Sequence, residues 1–175
     1  MVPSEVVAQY RLRDLAEADN VVRIRNWRIR PQDRMHRIYL EYLPFGDAWK
    51  NVVAHYRQRR HQDGRVDQGA WLAEPFIWHT FESLSIAGQL MAHGGMEPNP
   101  FNGWHSMVHR DIKLANMFLS YPRKDRYRKF PSVKLGDFGY AVFMAPNDPR
   151  PPPYIRAVGT PGARAPEQDL SLIHI

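Results

Sequence analysis

The sequence predicts an α+β fold with a few helices and short strands. Apolar residues recur at three- and four-residue intervals in residues 4–15 and 76–91, as they do in helices that pack one face against a core. Residues 37–43 and 117–119 are short runs rich in apolar and aromatic side chains, a pattern that is typical of strands. The chain is 43% hydrophobic and 24% charged, which are values of a globular protein.

Composition also narrows the class of protein. The sequence has no cysteine, so it forms neither a disulfide framework nor a thiolate metal site. No run approaches the roughly 20 apolar residues that a membrane span requires, and the N-terminus lacks the pattern of a signal peptide. We therefore expect an intracellular protein, in the cytoplasm or nucleus, that does not bind a membrane. The net charge of +6 favours acidic partners.

The N-terminal part predicts one helix and two strands. The helix is predicted over residues 4–15. Residues 19–24 (D-N-V-V-R-I) predict the start of the first strand, and residues 37–43 predict the second. A proline and a glycine then end this strand. From the residues alone, Asp47 is the N-cap of a helix that starts at Ala48.

The middle of the chain predicts a core helix followed by loops. The aromatic side chains in residues 76–91 are interpreted as core residues rather than as a ligand pocket. Residues 94–103 contain Gly, Pro and Asn and predict a loop. Residues 121–131 (Y-P-R-K-D-R-Y-R-K-F-P) place a basic run in a predicted hairpin. We interpret this run as a solvated loop, with binding of RNA or of an acidic partner as the alternative.

Three motifs occur in a fixed order further along the chain. Residues 109–116 read H-R-D-I-K-L-A-N, D-F-G follows at residues 137–139, and A-P-E follows at residues 165–167. A three-residue motif occurs by chance in many chains, whereas eight consecutive matching positions do not. Together the motifs resemble the catalytic core of a eukaryotic protein kinase. The resemblance implies a partial kinase-like fold, with the end of the N-lobe, the hinge and the upper, mainly helical C-lobe.

The resemblance implies roles for five residues of these motifs. Asp111 matches the aspartate that accepts the proton of the attacking hydroxyl, and Lys113 matches a lysine that neutralises the transferring phosphoryl group. Thr160 matches a threonine that contacts both this aspartate and this lysine. Asn116 and Asp137 offer the oxygen ligands that Mg²⁺ prefers. The implied cofactors are ATP and Mg²⁺, and the implied partner is a protein substrate.

A nucleotide pocket follows from the same resemblance. Leu40 matches the gatekeeper, and the backbone of Glu41 and Leu43 matches the hinge positions that bind adenine. Phe118 matches the floor of the adenine pocket, with plain core packing as the alternative. Asp47 lies where kinases often place an acidic residue against the ribose, and this role is compatible with capping a helix.

The motif details indicate the serine/threonine type. Lys113 stands within D-I-K-L-A-N, and Thr160 stands in the G-T-P-G sequence before A-P-E. Residues 139–167 contain no serine and a single threonine. In the family, the arginine next to the catalytic aspartate normally binds a phosphate on the activation loop. Residues 139–167 therefore offer few acceptors for such a phosphate. We hypothesise that activation uses Tyr154, an acidic substitute such as Asp148, or no phosphate.

Some parts of a kinase are not found in the sequence. It has no glycine-rich loop and no V-A-I-K lysine. The position of the N-lobe glutamate falls near Ala8 or Gln9, and Glu5 lies one turn too early to be assigned. A kinase domain needs roughly 250 residues, so we expect an inactive fragment. The expected parts are an N-lobe remnant at 1–43, a partial C-lobe at 44–169 and a non-native tail at 170–175, L-S-L-I-H-I.

Two other functions stay open from the sequence. The chain could be a non-catalytic, pseudokinase-like binding module, or a basic module that binds nucleic acid through residues 123–129. Intact Asp111, Asn116 and Asp137 favour the kinase. Nucleic acid is the least favoured partner, because basic runs of this kind are more often solvated loops.

Overall fold

The computed structural model describes residues 2–33, 35–54, 57, 72–97, 103–144 and 158–164. Within these ranges the chain is a mixed α+β structure, as the sequence predicts, with helices beside short antiparallel strand pairs. Helix α1 spans Ser4–Arg13 and helix α2 spans Glu74–His93. The hypothesised phosphate acceptor Tyr154, its substitute Asp148, the A-P-E motif and the predicted tail lie outside the described residues.

The described strands form three separate antiparallel pairs. In chain order they are β1 (Ile24–Arg30), β2 (Met35–Leu40), β3 (Ser106–Val108), β4 (Met117–Ser120), β5 (Ser132–Leu135) and β6 (Val142–Met144). Strand β1 pairs with β2, β3 with β6, and β4 with β5. The β4–β5 pair is a hairpin, and its connection is the basic run 121–131, as the sequence predicts.

The start of the first strand differs from the prediction. Residues Ala18–Asn20 form a 3₁₀ turn, and β1 begins only at Ile24. The reason is a tertiary contact, because the buried side chain of Asn20 donates a hydrogen bond of 3.3 Å to the Val133 carbonyl. Asparagine side chains that bond the backbone favour turns over regular ladders. The second predicted strand is present, but it ends at Leu40 rather than at residue 43.

Helix α2 confirms the predicted core helix and extends it by two residues at each end. It ends at Gly94, which has a left-handed backbone (φ 73°) and donates its N–H to the Leu90 carbonyl at 2.9 Å. The prediction that the aromatic side chains of this helix are core residues is wrong for Trp78 and Phe81, which are 57% and 64% exposed. The buried face is made by other positions, namely His79, Ser83, Ile86, Ala87, Leu90 and Met91.

The main core joins both helices to the D-F-G turn. Its central side chain is Phe138, which has no exposed surface. Helix α1 contributes Ala8 and Leu12 to the same cluster, and helix α2 contributes Leu90. A fully buried Leu or Phe side chain stabilises a fold by about 1.5–3 kcal/mol. The middle residue of D-F-G therefore belongs to the same buried cluster as side chains of both helices.

The basic loop 121–131 is held to the rest of the chain by acidic partners. Arg123 lies 3.6 Å from the carboxylate of Asp19, next to the 3₁₀ turn. Arg126 donates a hydrogen bond of 2.8 Å to Glu82 of helix α2. Two arginines of this run are thus paired within the chain, which lowers the positive charge that the loop presents to a partner.

Candidate active site

His109 joins the H-R-D loop to the D-F-G turn. The ring is buried, its Nδ1 accepts the N–H of Asp111 at 3.2 Å, and its Nε2 lies 3.0 Å from the Gly136 carbonyl. Because Nδ1 accepts a hydrogen bond, Nε2 carries the proton that is donated to the carbonyl, and the ring is neutral. Burial lowers the pKa of His109, which agrees with a neutral ring. The ring also packs edge-on against Phe138, with 4.8 Å between centroids.

The carboxylate of Asp111 is the centre of a hydrogen-bonded group. Its Oδ2 accepts from Lys113 Nζ at 2.8 Å and from Asn116 Nδ2 at 3.0 Å, and its Oδ1 accepts the N–H of Thr160 at 2.8 Å. Lys113 also donates to the Thr160 hydroxyl at 2.6 Å. The structure thus brings together four of the residues that the sequence singles out as site residues.

The pKa of Asp111 reflects this group of donors. Burial by itself raises the pKa of the carboxyl, but the hydrogen bonds from Lys113, Thr160 and Asn116 outweigh burial and lower it from 3.8 to about 2. Asp111 is therefore a well-oriented but weakly basic carboxylate at neutral pH. A carboxylate of this kind can accept a hydrogen bond, but it is a weak base towards an ordinary hydroxyl.

Asn116 and Asp137 lie at the open end of the β4–β5 hairpin. Asn116 directly precedes β4, and Asp137 follows the end of β5 by two residues. The N–H of Gly136 donates to the Asn116 carbonyl at 2.9 Å and closes this end. The two residues are therefore neighbours across the hairpin, although they are far apart in the sequence.

The side chains of this pair suit a hard cation. Asn116 donates through Nδ2 to both the carbonyl and the carboxylate of Asp111, which fixes the amide and leaves its oxygen as an acceptor. Asp137 is exposed, and its Oδ1 has a long contact of 3.4 Å with the N–H of Gly139. An amide oxygen and a carboxylate are ligands that Mg²⁺ takes together with phosphate and water oxygens. The residues present therefore fit such an ion.

Residues 158–164 pack onto the H-R-D loop through the backbone. Gly159 has φ 88°, and a Cβ at this position would lie 2.3 Å from the Arg110 carbonyl, so the close approach requires glycine. Arg110 itself has a left-handed backbone (φ 67°) and donates from Nε to the Tyr140 carbonyl at 2.6 Å. Arg164 donates to the Gly159 carbonyl at 3.1 Å. The segments on both sides of residues 145–157 thus contact the same loop.

The predicted hinge residues lie between β2 and the hairpin. Leu40 is the last residue of β2 and is 40% exposed. Among the described residues, neither the carbonyl of Glu41 nor the N–H of Leu43 takes part in a backbone–backbone hydrogen bond. Asp47 forms an antiparallel bridge to Phe118, which places the predicted ribose and adenine residues beside each other.

Asp47 has a structural role of its own. Its Oδ1 accepts the N–H of Lys50 at 2.9 Å, and its carbonyl accepts the N–H of Asn51 at 3.1 Å. Asp47 therefore caps the helical segment that follows, as the residue pattern predicts, although residues Trp49–Ala54 form a π-helical turn rather than a regular α-helix.

Known proteins with similar sequences include serine/threonine protein kinases. Serine/threonine-protein kinase TAO2 of Rattus norvegicus is 30% identical over 145 residues, which cover 72% of this chain and 10% of that protein. TAO2 of Homo sapiens matches to the same extent, and serine/threonine-protein kinase TAO3 of Rattus norvegicus is 28% identical over 145 residues, covering 72% of this chain and 14% of that protein. The chain is related to the serine/threonine protein kinases. It spans about a tenth of the TAO2 proteins it matches, and no family model matches it.

Glu5 of helix α1 is the acidic residue that the sequence does not assign as the N-lobe glutamate. Burial, followed by the negative charge of Asp137, raises the pKa of Glu5, while His36 opposes the change. Ala8 and Gln9, which occupy the predicted position of the N-lobe glutamate, are both buried and uncharged. Helix α1 therefore brings a carboxylate towards the D-F-G turn from one turn earlier. Only the tertiary packing of α1 reveals this proximity.

The described residues offer neither a cluster of metal-binding side chains nor a membrane-spanning helix. Over the described ranges, no group of three or more histidine or acidic side chains is arranged to hold a metal ion. A cation at Asn116 and Asp137 would therefore take its other ligands from phosphate or water. Of the helices in the same part of the chain, none is long and apolar enough to cross a membrane.

Proposed function

We propose that the protein containing this chain transfers the γ-phosphoryl group of ATP to a serine or threonine hydroxyl of a protein substrate. The observation that carries the proposal is the buried Asp111 carboxylate, held by Lys113, Thr160 and Asn116 next to the open end of the hairpin. Phosphoryl transfer needs little covalent chemistry from a protein and depends on placing charges and a hydroxyl around the phosphate. This group of residues supplies such placement.

In this proposal, Asp111 orients the attacking hydroxyl. With a pKa of about 2 it takes the proton late, after bonding to phosphorus has made the hydroxyl acidic. A loose transition state, in which the nucleophile needs little activation, suits this weak base. Lys113 is bonded to Asp111, yet 25% of its side chain is exposed, so its ammonium can also face the transferred group. Thr160 keeps both side chains in place.

The proposed nucleotide site lies along the hairpin and the hinge. Asn116 and Asp137 would hold Mg²⁺, which supplies neutralisation of phosphate charge when it is bound. The backbone of Glu41 and Leu43 would bond the adenine through groups that have no backbone partner among the described residues. The remaining adenosine contacts in this proposal are Leu40, Asp47 and Phe118. In the same proposal, residues 1–43 are a remnant of the N-lobe, residues 44–169 are a partial C-lobe, and the protein is intracellular.

The test begins with nucleotide binding. Titration calorimetry of the chain with ATP, in the presence and absence of Mg²⁺, is expected to show binding that depends on the ion. Asp137→Asn is expected to remove the dependence on Mg²⁺, whereas Asp33→Asn, a surface control, is expected to leave it unchanged. A wild-type chain that binds no ATP in the presence of Mg²⁺ would contradict the proposal.

Phosphoryl transfer separates the kinase from its alternatives. With γ-labelled ATP and a mixed protein substrate, the protein containing this chain is expected to label serine and threonine, and its Asp111→Asn variant is not. Binding of ATP without transfer would favour the pseudokinase-like module. Salt-dependent binding of RNA that disappears when Lys124, Arg128 and Lys129 are neutralised would favour the nucleic-acid module. The internal pairing of Arg123 and Arg126 argues against this last outcome.

A further inference from the structure

Glu41, at the start of the predicted hinge, forms hydrogen bonds with both Arg23 and Lys134. Its Oε1 accepts from Lys134 Nζ at 2.8 Å and from the N–H of Arg23 at 2.8 Å, and its own N–H donates to the Arg23 carbonyl at 2.9 Å. The Glu41 and Lys134 side chains are only 17% and 14% exposed. A pair so shielded from water is screened less than an ordinary surface pair. The carboxylate thus connects Arg23, which directly precedes β1, to the side chain of Lys134.

Lys134 belongs to the hairpin that also carries the proposed phosphate end of the site. It lies on β5 directly opposite Phe118 of β4. The far end of the hinge is tied to the same hairpin, because the N–H of Leu119 donates to the Gly46 carbonyl at 2.8 Å. Residues 41–46 are therefore anchored twice, by an ion pair at their start and by the backbone at their end.

We propose that Lys134 is a positioning residue for the nucleotide, acting through Glu41. The ion pair sets the distance between the open backbone groups of the hinge and the hairpin that carries Phe118 and Asp137. Adenine and phosphates would then be held by one rigid unit. This inference rests on the proposed kinase function, since it assigns Lys134 to the same nucleotide site.

The expected effect follows from the shielding of the pair. Without the Lys134 ammonium, the Glu41 carboxylate turns to water for its missing hydrogen bond and releases the hinge start from the hairpin. In the full chain, Lys134→Met is expected to weaken binding of adenosine and of ATP with Mg²⁺ alike, by about tenfold. Lys134→Arg, which keeps the charge, is expected to recover part of the loss. Lys129→Met removes an exposed lysine of the same hairpin and is the matched control.

Two further readouts separate positioning from general stability. In an active parent protein, Lys134→Met is expected to raise the KM for ATP about tenfold with kcat nearly unchanged, because hinge contacts bind ground state and transition state alike. Hydrogen exchange is expected to speed up at the Glu41 amide and to stay slow in helix α2. Should Lys134→Met fail to fold, Glu41→Gln weakens the same bond while keeping its shape, and it is expected to change both readouts in the same direction.

The outcomes of this experiment are distinct. Wild-type affinity for adenosine in both Lys134→Met and Glu41→Gln would overturn the inference while leaving the kinase proposal intact. Unchanged exchange at the Glu41 amide would overturn it even if the wild-type chain bound no nucleotide. If the wild type bound no nucleotide and exchange did speed up, the kinase proposal would fail and the role of Lys134 in fixing residues 41–46 would stand.

Discussion

Replacing Asp111 by asparagine removes the charge at the centre of the site while keeping the shape of the side chain. Lys113 and Asn116 would then donate towards an amide instead of a carboxylate. The hydrogen bonds to the carboxylate lower its pKa from 3.8 to about 2, and one pKa unit corresponds to about 1.36 kcal/mol. Because only 2% of the side chain is exposed, this difference needs no reduction for solvent screening. We expect Asp111→Asn to lower the free energy of unfolding at pH 7 by about 2 kcal/mol.

The difference in unfolding free energy between wild type and Asp111→Asn is expected to decrease as the pH falls. A carboxyl whose pKa is lower in the folded state stabilises the fold above its unfolded pKa, and the contribution is lost as the pH falls towards the folded value. The difference between wild type and Asp111→Asn should therefore be full above about pH 5, be mostly lost by about pH 2 and approach zero near pH 1. Urea unfolding followed by tryptophan fluorescence at a series of pH values measures it.

A matched control uses Asp33, which pairs with Arg30 at 3.3 Å on the surface, where the side chains are 43% and 49% exposed. Asp33→Asn is expected to change the free energy of unfolding by less than about 1 kcal/mol. The reasoning about Asp111 is refuted if its substitution costs no more than this control at pH 7. It is also refuted if the cost stays constant from neutral pH down to pH 2.

Three further substitutions test the packing around the site. Gly159→Ala would force a Cβ to within 2.3 Å of the Arg110 carbonyl, so we expect faster proteolysis of residues 158–164 with little change in global unfolding. Leu12→Ala opens a cavity where α1 packs against the main core and should lower the free energy of unfolding in urea by about 2–5 kcal/mol. A decrease below about 1 kcal/mol would mean that α1 does not pack as described. Gly94→Ala places a Cβ 2.6 Å from the Trp104 ring at a φ of 73°, and a lower melting temperature with altered tryptophan fluorescence is expected.

The parts of the fold that the sequence predicts well are those decided by local patterns. Helix α2 is predicted within two residues at each end because its apolar spacing is long and Gly94 supplies a C-cap. The turn at Ala18–Asn20 is missed because it depends on the bond from Asn20 to Val133, a contact between residues distant in the sequence. Residues 19–24 resemble a strand in the sequence, and only the hydrogen bond from Asn20 to Val133 explains the turn.

The same distinction applies to the candidate site. Asp111, Lys113 and Asn116 lie within six residues, so a motif can specify their geometry, and the structure places them in one hydrogen-bonded group. The ion pair of Glu41 with Lys134 joins positions 93 residues apart, and no local pattern indicates it. The closeness of Glu5 to Asp137 likewise depends on how α1 packs. The predicted roles of all these residues in catalysis stay predictions.

The D-F-G turn is a locally frustrated part of the structure. Asp137 has a backbone with φ 62°, which few non-glycine residues adopt, its negative charge contributes to raising the pKa of Glu5, and the neighbouring Phe138 is fully buried. Selection for stability alone would remove one of the two negative charges. An Asp137→Asn chain that melts at a higher temperature than the wild type would show that the fold tolerates this conflict for a purpose other than its own stability. A divalent cation at the turn should then raise the melting temperature of the wild type more than that of the variant, since it relieves the same repulsion.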